Sequence, residues 1–231
     1  MIQTKLEHVK KVYNHVKSNR NKSEYSKRRC DYAEYYKKCK VKNIVLYEAF
    51  AARGMLCSPY ALFKEFMNRS DFDKYEHVWA IYDMEDNEYI INKYKNVSNV
   101  RFVEFNSNEY LKALAEAKYI INNSTFPGFV TKKDEQIYIN TWHGIPLKTL
   151  GYDLPDANIA VANTMRNFLS ADYLISPNKF HSDIYLKAYK LDGLYEGTII
   201  EEGQPRSDMI YHADRDEVID QLKHEGVTID P

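Results

Sequence analysis

From residue 42 onward, short apolar runs alternate with longer stretches whose apolar residues recur every three or four positions. Runs of the first kind suit buried parallel strands, and stretches of the second kind suit amphipathic helices. Strands are predicted at residues 43–47, 77–82, 100–105, 119–122, 136–141, 171–176 and 198–200. Helices are predicted between them, at 59–69, 86–94, 107–117, 158–168, 178–189 and 214–225. Pro59 suits the first turn of its helix, and Ser107 has the side chain of an N-cap. The alternation predicts an α/β domain, a doubly wound and mostly parallel sheet with right-handed crossovers.

The first 42 residues follow another pattern. Ile2, Leu6, Val9, Tyr13 and Val16 form one apolar stripe, and Tyr25, Tyr32, Tyr36 and Cys39 form a second after a polar break at residues 18–23. Two helices are expected there. Charge sets this stretch apart: it holds thirteen Lys and Arg against four Asp and Glu, a net +9, and the remainder carries −10. The overall charge of −1 therefore hides a basic helical arm, residues 1–42, on an acidic body, residues 43–231. The arm suits an anionic membrane surface, a polyanionic polymer, or a solvated linker packed on the body by its stripe. No recognised module argues for nucleic acid.

Composition removes several classes. Hydrophobic residues make up 44% and aromatic residues 14%, as in a folded globule. No apolar run reaches the ~20 residues of a membrane-spanning helix, and the N-terminus lacks a signal-peptide core, so a cytoplasmic location is expected. Cys30, Cys39 and Cys57 lack the spacing of a zinc site, and His8, His15, His77, His212 and His224 are scattered. Neither a Walker loop nor a dinucleotide fingerprint occurs. No metal and no cofactor is called for.

Ligands of doubly wound sheets bind beyond the carboxyl ends of the strands. Five loops meet that condition: residues 48–59, 122–128, 142–151, 176–181 and 203–208. His143 directly follows a strand, with Gly144 and Pro146 shaping the turn and Lys148 close behind. An imidazole placed there either removes a proton from an alcohol or serves as a hydrogen-bonded structural group. Arg206 either meets a phosphate or pairs with Asp208. Glu48 either orients a ligand or caps a helix. Asn123 and Ser124 either donate to a phosphate or form a polar turn. His181 is expected in a helix's first turn, at the surface.

The segment Ile139-Asn140-Thr141-Trp142-His143-Gly144-Ile145-Pro146-Leu147-Lys148-Thr149-Leu150-Gly151 resembles the signature of the CDP-glycerol glycerophosphotransferase family, which makes teichoic acids and related phosphopolyol polymers. Ile44-Val45-Leu46-Tyr47-Glu48-Ala49-Phe50, Asn122-Asn123-Ser124 with Phe126-Pro127, Ser176-Pro177, and Gly203-Gln204-Pro205-Arg206-Ser207-Asp208 resemble its other motifs, in order, over roughly residues 43–210. The family's common form has Thr where Ile145 stands. The resemblance implies the acceptor-side, Rossmann-like half of a glycosyltransferase-B-like fold, with a second, donor-binding half beyond Pro231. It implies His143 as general base, with Lys148, Arg206, Asp208, Glu48, Asn123 and Ser124 as substrate-binding candidates. The implied donor is CDP-glycerol, or alternatively CDP-ribitol, and the acceptor is a lipid-linked phosphopolyol or glycan at the cytoplasmic membrane face. By itself the half is expected to be inactive. A non-catalytic polymer- or membrane-binding domain is the reading from another class.

Overall fold

The computed structural model of the chain describes residues 23–155 and 159–228, so the first predicted helix lies outside the described residues. Seven strands form one sheet: β1 (Lys42–Glu48), β2 (Glu76–Ile81), β3 (Val100–Glu104), β4 (Ala117–Asn122), β5 (Ile137–Asn140), β6 (Tyr173–Ile175) and β7 (Thr198–Ile200). Their order is β3-β2-β1-β4-β5-β6-β7, and every adjacent pair is parallel. The chain winds outward from β1 to β3, returns, and winds the other way from β4. The switch point therefore falls between β1 and β4, and all strand ends deliver their loops to one edge.

Alternation along β1 explains the two layers. Ile44 and Leu46 point to one face, where they join Tyr110, Leu111 and Leu114 of α4 (Asn108–Glu116), Phe168 of α5 (Ile159–Ser170) and Tyr185 of α6 (Lys179–Ala188). Val45 and Tyr47 point to the other, against Tyr60 and Phe63 of α2 (Cys57–Met67), flanked by Ile90 and Ile91 of α3 (Glu88–Tyr94). A strand buried on both faces needs apolar residues at every position, which is why these strands read as continuous runs.

The second basic helix, α1 (Glu24–Lys38), lies on the first face. Tyr32 is buried in the core cluster, and its hydroxyl donates to the Thr131 carbonyl at 2.5 Å. Lys27, Arg29, Lys37 and Lys38 remain exposed. The positive charge is thus on the outward side of a helix anchored by Tyr32, while Tyr25 and Tyr36 of the same stripe stay exposed.

Two local expectations need correction. The helix containing Pro59 begins two residues earlier, at Cys57, because a proline is tolerated throughout the first turn, where N–H groups have no helical partner. Residues 203–208 read as a loop from sequence, but their second half opens α7 (Pro205–His212), with Pro205 first; α8 (Arg215–His224) follows. Gly203-Gln204-Pro205 looked like a turn, but it is the approach to a helix whose first residue is proline.

The end of β1 buries a carboxyl. Glu48 accepts a hydrogen bond from the Tyr110 hydroxyl at 2.6 Å, and loss of water around it raises its pKa to about 7. The folded state therefore favours the protonated acid. Stability drawn from it is full below the unfolded pKa, near 4.5, and is lost as pH rises through about 7. Glu48→Gln is predicted to gain on the wild type over that window, by up to about 3 kcal/mol, and then to level off. Urea unfolding across the range tests this; parallel profiles for the two proteins would contradict it.

Candidate active site

The carboxyl edge of the sheet is organised by Asn140, the last residue of β5. Its Nδ2 lies within hydrogen-bond distance of Asn122 Oδ1 (2.9 Å), the Ser124 carbonyl (2.8 Å) and the Tyr138 hydroxyl (2.8 Å). Its Oδ1 accepts from the Trp142 N–H at 2.8 Å. One buried amide thereby ties β5 to the loop after β4 and sets the direction in which the chain leaves the sheet. Trp142 turns sharply, with φ +46°, and packs its indole on Phe168 at 4.9 Å. His143 follows, stacked on that indole at 4.2 Å and facing Phe50 at 6.1 Å.

His143 is on an exposed rim but partly dehydrated. Burial, and then the charge of Arg206, hold its pKa below the ordinary histidine value. At neutral pH the imidazole is neutral, with a lone pair able to accept a proton.

Arg206 does not make the Asp208 pairing weighed from sequence. Its Nη1 donates to the His143 carbonyl at 3.0 Å and lies 3.4 Å from Cys57 Sγ; among the described residues it makes no ion pair with Asp208. Asp208 is exposed in the first turn of α7, where a carboxylate favours the positive end of the helix dipole. Lys148 is exposed on the loop after His143. Asn123 is buried and accepts from the Phe50 N–H at 2.8 Å, which joins the β1 and β4 loops across the switch point. Glu48 caps none of the described helices; its carboxyl is bonded to Tyr110.

His181 departs from expectation. It lies in the first turn of α6, as predicted, but it is buried and stacked on Tyr185 at 4.6 Å. Burial, assisted by His143, lowers its pKa to about 4. Tyr185, one helical turn on, was the available signal, since the i, i+4 pair places both rings on the inward side. Cys57 was missed because nothing in its sequence neighbourhood marks it.

Two features concentrate at this edge. Phe50, Ala51, Ala52, Cys57, Asn106 and Trp142 all have positive φ without being glycine, a conformation costing of order 1 kcal/mol or more each. Buried polar atoms without partners also gather there: Ser58 Oγ, Asn122 Nδ2, Asn123 Nδ2, Ser124 Oγ, His181 Nδ1 and Gln204 Nε2. Such groups are costly unless something else satisfies them. Among the described residues, no group of His, Cys, Asp and Glu is placed to hold a metal ion. The arrangement offers a neutral base, nearby cations and spare hydrogen-bonding groups, which suits an acceptor hydroxyl and a phosphate.

Known proteins share this fold and these segments. The chain is 30% identical over 189 residues to a teichoic acid poly(glycerol phosphate) polymerase of Bacillus spizizenii, covering 79% of this chain and 45% of the relative. It is 31% identical over 235 residues to the polymerase of the same description from Staphylococcus epidermidis, covering 95% and 30%. A solved structure of the wall teichoic acid polymerase TagF, a histidine-to-asparagine variant soaked with CDPG, matches with a TM-score of 0.72 and 26% identity, over 97% of this chain and 54% of that one. The chain thus spans less than half the length of the curated relatives it matches. Matched over residues 22–230 by the family's model, it belongs to the CDP-Glycerol:Poly(glycerophosphate) glycerophosphotransferase family.

Proposed function

We propose that the chain supplies the acceptor side of an enzyme that transfers glycerol phosphate from CDP-glycerol to a hydroxyl of a teichoic-acid-type polymer. The observation that carries this reading is His143: a neutral imidazole on a braced turn at the mouth of a parallel sheet, in a chain of this family. His143 takes the proton of the acceptor hydroxyl as its oxygen attacks the β-phosphorus. The bond from that phosphorus to the CMP oxygen breaks, and CMP leaves.

Phosphoryl transfer asks a protein mainly for position and charge. Lys148 and the free edge of Arg206 are the cations offered to the phosphate. Asn123 and Ser124 offer unpartnered donors at the switch point. Asp208, on the rim, accepts from a polyol hydroxyl. Glu48 acts from below through the switch-point packing. The nucleotide is held mainly by a second half, as in a two-domain transferase.

The basic segment, residues 1–42, serves as a contact for an anionic membrane, where a lipid-linked acceptor is presented. Its described helix supports this: Lys27, Arg29 and Lys37 face outward, while Tyr32 fixes the other side. Among the described residues, no helix is long and apolar enough to cross a membrane. The proposed site of action is the cytoplasmic membrane face.

Two experiments test these assignments. In the native gene product, His143→Asn is predicted to lower CMP release from CDP-glycerol, with a membrane acceptor, by about 100-fold or more. The KM for CDP-glycerol should change little; turnover near the wild-type rate would remove His143 from the base role. Sedimentation with liposomes of anionic lipid should capture the chain at low salt and release it at high salt. Neutralising Lys27, Arg29 and Lys37 together should weaken capture; unchanged capture would count against the basic contact.

A further inference from the structure

Beyond Trp142 the chain leaves the sheet with little to hold it. From His143 to Thr149, one hydrogen bond ties the segment to the other described residues: Arg206 Nη1 to the His143 carbonyl, at 3.0 Å. The guanidinium also lies against the next peptide, since a Cβ placed on Gly144 would sit 3.3 Å from Arg206 Nη2. Gly144 itself has φ +150°, and Trp142 has φ +46°. A turn of this kind persists only where its surroundings impose it.

Arg206 is itself held from two sides. It stands in the first turn of α7, whose Met209 packs against the second core face. On the other side its Nη1 lies 3.4 Å from the sulfur of Cys57, the first residue of α2. The clamp therefore connects the loops after β1, β5 and β7, which are separate in sequence.

We propose that Arg206 is a positioning residue for His143: it fixes the carbonyl of the His143 turn, with Cys57 as the second anchor of its guanidinium. The proposal rests on His143 being the base. A base that drifts by about 1 Å can lose about 100-fold in rate, so the one hydrogen bond that reaches this segment from the other described residues matters. The clamp also adds a positive charge beside the imidazole, which disfavours imidazolium and keeps the base neutral. His181 from α6 is the other titratable group that feels His143, and burial keeps it neutral. The Nε of Arg206 is not used in any hydrogen bond among the described residues, so a phosphate bound there would engage the same guanidinium that sets the base.

The test uses the 231-residue chain with isotope-labelled histidine, followed by NMR. In the wild type, the His143 ring protons should be displaced by the Trp142 indole current, and the ring should titrate below an ordinary histidine. Arg206→Lys keeps a charge but loses the planar fork; the ring-proton displacement should collapse toward that of a free histidine. Arg206→Gln should do the same and also raise the titration midpoint. Cys57→Ala should give a smaller loss of the same sign. Unmoved signals from His77, buried against Tyr47 and Phe63, distinguish a loosened turn from an unfolded chain. Unchanged His143 shifts and midpoint in both Arg206 variants would overturn the proposal.

The base reading fails separately. If the turn loosens but His143→Asn retains transfer, the clamp stands and the base assignment falls. If the turn is unmoved but His143→Asn is inactive, the base stands and the clamp falls.

Discussion

The hydrogen bonds of one buried amide, Asn140, decide how this molecule presents its chemistry. The ladder pairs β4 with β5 as far as Asn122 and Asn140, and the links from Asn140 to Asn122 and Ser124 carry that pairing into the loop after β4. Without its bond to the Trp142 N–H, the chain would have no reason to enter a left-handed turn at a bulky residue. The indole reaches its pocket against Phe168 only through that turn, and the imidazole of His143 reaches the rim only because the indole lies beneath it. A polar network in a low-dielectric interior is costly when incomplete and specifying when satisfied. Here it joins the end of the sheet to the turn that carries His143.

The parallel sheet was legible from sequence because strands buried on both faces cannot hide their apolar character. All seven appear near the predicted positions, and their alternation with helices left few topologies open. What could not be read were features that depend on partners distant in the chain. Residues 205–212 carry a weak amphipathic signal, and their helix is settled by packing of Met209. His181 reads as an exposed first-turn residue until Tyr185 and the neighbouring elements enclose it. Arg206 has a tempting partner two residues away in Asp208, yet it bonds to a carbonyl 63 residues back. Local charge pairing is visible in a sequence; a backbone carbonyl exposed by a strained turn is not.

The site's electrostatics also follow from placement rather than from net charge. The body carries ten excess negative charges, which would repel a phosphopolymer at long range. The carboxyl edge offsets this locally. One carboxyl near it, Glu48, is kept largely neutral by burial at mildly acidic pH, and two cations stand at that edge, Lys148 on the loop after β5 and Arg206 in the first turn of α7. Strained backbone and unpartnered polar atoms lie in the same loops. Fold stability is spent where a ligand would recover part of it, a pattern expected of functional edges.

The central claim is that a phosphopolyol is received at this edge. Mapping backbone amide shifts during titration of the chain with oligo(glycerol phosphate) tests it most directly. The account predicts changes concentrated at residues 50–57, 123–131, 142–149 and 203–208, with His143 among them. Changes confined to the opposite edge of the sheet, or spread over the exposed lysines of α1 alone, would contradict it.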